Sequence, residues 1–249
     1  MTQTDKSRLT KGFTSKIFTT AMLLALCMVN LAQANTLEEA KLKLSQKDYA
    51  AAHAIYLSLA NQNDAKACYN LGLMYHDGDG VTKNLDEAVK WYTKSADLNY
   101  KEAQYMLASL VFQRQIQSIS YPQAVTYYAQ AAQQGHLKSQ LNLGMLYFRG
   151  DVIAQDMAAA VKWLNLAASN NNSEAQGYMA NLYQQGAGVT QDTVKAAMWL
   201  ILATQNEDKH FSNRHTKMLN YLASQMTEEQ KASATQMAVQ CKSQQLQGC

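Results

Sequence analysis

The sequence predicts an all-α protein: a right-handed α-solenoid of helix–turn–helix repeats with a period of 36 residues. Three observations carry that prediction. Residue types recur in register at this spacing through four consecutive units. Within each unit the apolar positions follow helical spacing. The composition favours helix throughout, with one proline, Pro122, in 249 residues of which 47% are hydrophobic and 16% charged.

Residues 1–34 read as a secretory leader. Lys6, Arg8, Lys11 and Lys16 form a positive start, an apolar stretch from about Ile17 to Leu31 follows, and Ala32-Gln33-Ala34 is an A-x-A cleavage signature. The alternative is an uncleaved membrane anchor. The apolar stretch is shorter than the ~20 residues that span a bilayer and contains Thr19, Thr20 and Asn30. The expected mature chain begins at Asn35, which makes the protein periplasmic or secreted. Four of the 22 cations and one of the 19 acidic groups lie in the leader, leaving 18 of each sign. A mature chain without net charge gives no reason to expect nucleic acid as a partner, or stable membrane insertion once the leader is removed.

The repeat registers are explicit. Leu71, Leu107, Leu143 and Met179 form one column; Ala88, Ala124, Ala160 and Ala196 a second; Trp91, Tyr127, Trp163 and Trp199 a third. Gly72, Ala108, Gly144 and Ala180 are small at a fourth, and Tyr75, Val111, Tyr147 and Tyr183 bulky at a fifth. In the first helix of a unit, Ala67, Leu71, Met74 and Tyr75 share one face. Gly78, Gly80 and Val81 form the turn, and Ala88, Trp91, Tyr92, Ser95 and Ala96 mark the second helix. The aromatic column at Trp91 and its equivalents is expected in the core.

The pattern A-x-x-x-L-G-x-x-Y-x-x-G-x-G-V followed by K-A-x-x-W-Y-x-x-A-A resembles Sel-1-like repeats, relatives of the tetratricopeptide repeat. It stands at Ala67–Val81 with Ala88–Ala96, and at Ala175–Val189 with Ala196–Ala203. The resemblance covers residues 64–208 as units 64–100, 101–136, 137–172 and 173–208. The two middle units depart from it in their turns. Residues 101–136 have Arg114-Gln115-Ile116-Gln117 where the glycines belong, and residues 137–172 keep Gly150 but place Val152 at the second glycine. Residues 35–63 look like a degenerate tetratricopeptide-like unit through Asp48, Tyr49, Ala52 and Tyr56. Residues 209–249 read as a C-terminal helical cap, with Thr227–Gln230 a capping box opening the last helix.

Little in the chain suggests catalysis, and no metal or cofactor is expected. His53, His76, His136, His210 and His215 are not spaced to converge on a metal, and Asp77-Gly78-Asp79-Gly80 is continued by Val81 and Thr82, against a calcium loop. Cys68 belongs beside a core face. Cys241 and Cys249 would lie ~12 Å apart in one continuous helix, too far to bond, but a helix that frays before Gly248 allows a disulfide. Some cysteine-rich relatives of the family bind or hydrolyse β-lactams and carry a cysteine pair in every repeat. Here Cys68 alone stands within the repeats.

The resemblance implies a non-enzymatic scaffold that binds an unidentified protein or peptide on a concave face lined by first helices. The candidate groove is Lys66, Asn70, Leu73 and Asp77 in the first repeat, then Glu102, Met106, Ser109 and Gln113. Lys138, Asn142, Met145 and Arg149 continue it, and Glu174, Tyr178, Asn181 and Gln185 end it.

Overall fold

The computed structural model describes residues 36–205 and 209–246. The leader, residues 206–208 and Cys249 lie outside the described residues. The chain divides into two compact units, one ending at Leu98 and the other beginning at Asn99.

The first unit contains α1 (36–45), α2 (Tyr49–Asn61), α3 (Ala65–Asp77) and α4 (Leu85–Asp97). α2 packs on α3 and α3 on α4. Their shared core is built on Tyr56, Leu59, Leu71 and Met74.

The second unit contains α5 (Lys101–Phe112), α6 (Tyr121–Gln133), α7 (Leu137–Arg149), α8 (Met157–Ser169), α9 (Ser173–Gln185) and α10 (Thr193–Thr204). α11 (Lys209–Ala223) and α12 (Glu228–Ser243) close it. Each helix from α5 to α10 packs on the next, and α10 also receives α11 and α12. The described residues are therefore all-helical, an α-solenoid arrangement of helix pairs.

Side chains outside the apolar columns set where the second helix of each pair starts. Asp48, Asn84, Ser120, Asp156 and Asp192, each 36 residues from the next, all cap the second helix of a pair with a side-chain oxygen. Such a cap contributes about 1 kcal/mol by satisfying an amide at the helix start. That register places α1 and α2 in phase with the repeats. A second period fixes the turn between pairs: Asn63, Asn99, Gly135 and Asn171 all take a left-handed backbone. Asparagine and glycine tolerate this conformation best.

Within the pairs, Gly78, Gly150 and Gly186 end α3, α7 and α9 in the left-handed region, each donating its amide to the carbonyl four residues earlier. The unit without turn glycines is reshaped. Arg114 takes the left-handed conformation, and Ile116 and Ile119 are buried in the turn. At the other departure, Gly188 lets its turn lie against Met157, whereas Val152 and the equivalent partner Tyr121 remain 37% and 41% exposed.

A column deeper than the expected aromatic one lies one residue beyond it. Tyr92, Tyr128, Leu164 and Leu200 are all at most 3% exposed. Trp199 is fully buried, and Tyr127 and Trp163 are nearly so. Trp91 is a correction: it is only partly buried, with the Lys94 ammonium 5.6 Å from its ring centroid.

The C-terminal cap forms as the sequence suggests. Thr227 and Gln230 exchange their side-chain and backbone hydrogen bonds to open α12. Ala234, Ala238 and Cys241 turn inward to the same core as Trp199.

Candidate functional site

In the first unit, Lys66 and Asp77 on α3 are exposed, and Asn70 and Leu73 are half-buried between them. Asn70 spends its amide on its own helix, donating to the Lys66 carbonyl at 2.9 Å.

In the second unit the stripe on α5, α7 and α9 borders a succession of clefts. Ser109, Gln113, Asn142, Met145 and Arg149 border a cleft of about 270 Å³. Its floor is aromatic: Tyr105, Phe112 and Tyr128. Phe112 stacks on Tyr128 with centroids 5.4 Å apart and planes 16° from parallel. The Tyr128 hydroxyl lies 3.2 Å from Ser109 Oγ, and Asn142 also hydrogen-bonds it. Burial pushes the Tyr128 phenol up, opposed by these two hydrogen bonds. Ser109 is thus buried and committed to the floor, so it is not an open contact position.

Tyr105 and Asn142 also line a second cleft, of about 330 Å³, with Lys138, Leu141, Asn172, Ser173 and Glu174. Glu174 in turn borders a third, tight cleft of about 40 Å³ with Tyr178, Asn181 and Arg214. There His215 of α11 is buried against Gly177. Glu102 and Met106 are half-buried on α5 and Gln185 is exposed on α9, outside these clefts.

His136 packs against Tyr105, which lines both of the first two clefts. Its Nδ1 accepts the Ser139 amide at 3.2 Å, capping α7. Its ring lies 4.4 Å from that of Tyr105. Burial holds its pKa below the usual histidine value; Glu102 opposes this, and Lys101 and Lys138 add to it. The ring is therefore neutral near pH 7, as an accepting Nδ1 requires.

Sequence reasoning missed the floor: Tyr105, Phe112, Tyr128 and Leu146. Tyr105 and Tyr128 repeat Tyr69 and Tyr92 at the period of 36 and could have been found as columns. Phe112 recurs as Phe148 and could have been found the same way.

Among the described residues, no group of three or more His, Cys, Asp or Glu side chains could hold a metal ion. Cys68 is fully buried, with Sγ 3.9 Å from the Ala60 carbonyl, and burial pushes its thiol up, away from a reactive thiolate. Cys241 is buried on α12, and its expected partner Cys249 lies outside the described residues. No described helix is long and apolar enough to cross a membrane.

The Sel1 repeat family model matches residues 65–100, 101–136, 137–172 and 173–208, more than half of the chain. The chain belongs to the Sel1 repeat family. Among solved structures, it is similar to the protective antigen c5321 of uropathogenic Escherichia coli, which displays an SLR fold. The match has 30% identity and a TM-score of 0.66 over 76% of this chain and 40% of that one. A Sel1 repeat protein of Oxalobacter formigenes matches with 29% identity and a TM-score of 0.58 over 75% of each chain. A sel1-like repeat-containing protein of Acanthamoeba polyphaga mimivirus is 52% identical over 42 residues, 17% of this chain and 7% of that one. DAP3-binding cell death enhancer 1 of Rattus norvegicus is 43% identical over 51 residues, 20% of this chain and 10% of that one. The chain thus matches only a small part of these two curated relatives. Sel1 repeat scaffolds are in general protein-interaction modules and typically non-catalytic; no catalytic family is indicated here.

Proposed function

We propose that this Sel1 repeat protein is an exported, non-enzymatic scaffold, and that the stripe on α5, α7 and α9 holds a segment of a partner protein. The observation carrying this reading is the chain of clefts in the second unit. Adjacent clefts share Tyr105 and Asn142, then Glu174, so their walls follow one another along first helices. An aromatic floor edged by amides and single charges suits a peptide, whose backbone needs hydrogen bonds and whose side chains need apolar cover. The first-unit stripe is part of the proposal only as an independent surface.

Export rests on the leader. In the proposed account it is removed after Ala34, and Cys241 and Cys249 are bridged in the oxidising space beyond the membrane. Intact mass of the native protein tests both points: the proposal requires a chain beginning at Asn35 with its terminal thiols blocked to alkylation. A chain retaining Met1 would end the export reading.

Binding is tested by cross-linking pull-down of the tagged mature protein from its own cell envelope. The proposal expects a partner that is lost when Gln113, Met145 and Arg149 are changed together to alanine while the melting curve is preserved. A partner retained by that variant would rule out these clefts.

A further inference from the structure

Resting on that reading, we propose that the occupant of the α5–α6–α7 cleft is an extended acidic peptide segment, carrying a side-chain carboxylate beside a bulky apolar residue. Arg149 is the only charged side chain on the wall of this cleft. It is exposed and takes part in no ion pair among the described residues. It stands in the last turn of α7, where the helix's carbonyl end favours a cation. The guanidinium stands at the rim, and its planar fork matches a carboxylate.

Below the rim, Phe112, Met145 and Leu146 surround room for one large apolar side chain. The cleft runs on into the second through Tyr105 and Asn142; there Lys138 and Glu174 oppose each other in charge, so the acid preference is assigned to the Arg149 end. From Arg149 to Lys138, α7 rises about 16 Å, the length of roughly five extended residues. A segment that runs on from the first cleft into the second passes Arg149 along its length, so the carboxylate is assigned to an aspartate or glutamate side chain.

The test is a positional-scanning pool of N-acetylated, C-amidated nonapeptides presented to the mature chain. The best sequence is then followed by fluorescence anisotropy. Asp or Glu should be enriched about fivefold or more within three residues of a bulky apolar position, the scale of one favourable ion pair of about 1 kcal/mol. Arg149→Glu should turn the preference towards Lys or Arg, whereas Lys162→Glu, on the exposed face of α8, should leave it alone. Bound peptides without acid enrichment, or enrichment surviving Arg149→Glu, would overturn the carboxylate and leave the cleft reading standing. So would an acid requirement met only by a free C-terminus. Failure of any peptide to bind, or binding undiminished by Met145→Arg, which fills the cleft, would remove the cleft reading itself.

Discussion

Gly72 on α3 lies flat against the ring of Tyr92 on α4, so closely that a β-carbon at 72 would overlap ring atoms Cδ1 and Cε1. The ring has nowhere to go: it is fully buried, and its hydroxyl lies 3.3 Å from His76 Nδ1. The same relationship recurs one helix pair along the second unit, between Gly144 and Leu164. Small-against-large packing between the two helices of a repeat is what the small column is for.

Gly72→Ala should therefore destabilise by about 1–3 kcal/mol, against the gain of about 1 kcal/mol that alanine brings to a helix interior. Urea denaturation measures it. A neutral or stabilising result would mean that the two helices are less tightly engaged than described.

Trp199→Ala should cost about 3–5 kcal/mol, because a fully buried indole leaves a cavity. Trp91→Ala should cost clearly less, since Trp91 is only partly buried at the edge of its core. Equal shifts in the denaturation midpoint would contradict the assignment of these two tryptophans to different environments.

Gln140 and Gln176, in register with Cys68, reach back across the inter-pair turn: their Nε2 groups donate to the carbonyls of Ala132 and Ala168 at 3.1 and 3.2 Å. Each link joins the first helix of one repeat to the end of the preceding repeat. Gln176→Leu should lose about 1 kcal/mol, the net value of such a hydrogen bond. A variant as stable as the wild type would show that apolar packing replaces the link fully.

The cap at His136 makes stability depend on pH. Its folded pKa lies below the unfolded one, so the unfolded chain takes up the proton first as pH falls. The stability is fully present above the unfolded value near 6.5 and is lost as pH drops through the folded value. Glu102 on α5, and Lys101 and Lys138 on either side, act on this equilibrium in opposite senses. His136→Asn should keep the cap, as Asn172 does at the equivalent place on α9, and remove this component. The fall in melting temperature between pH 7 and 5 should be smaller in the variant. An identical pH profile would mean that His136 is not the titrating cap.

The repeat columns were legible because burial at helix–helix contacts restricts residue type at every recurrence, as at Leu71 and Ala88. What escaped had other causes. Tyr92 outranks Trp91 in depth because a one-residue rotation of a helix face cannot be fixed from composition where both positions are aromatic. The buried glutamines were hidden because an apolar search passes over polar residues, here ones whose amide groups donate to a carbonyl of the preceding repeat. The turn at Arg114–Ile119 could be recognised as different but not drawn, since its two isoleucines replace a glycine geometry with burial. In the site, the stripe was read as a helical surface, but the aromatic floor contributed by Tyr128 comes from a neighbouring helix. Asn142 illustrates the consequence. As a plain surface residue it should be inert, yet it stands beside the Tyr128 phenol and lines both of the first two clefts.

The central claim is that partners are held on the α5–α7–α9 stripe. Its most direct test is site-specific photo-cross-linking in the native cell envelope, with the photoreactive residue placed at Met145 or, as a control, at exposed Thr126 on α6. The account predicts a discrete adduct from position 145 that is absent from position 126. Equal adducts from both positions, or none from 145 while 126 reacts, would contradict it.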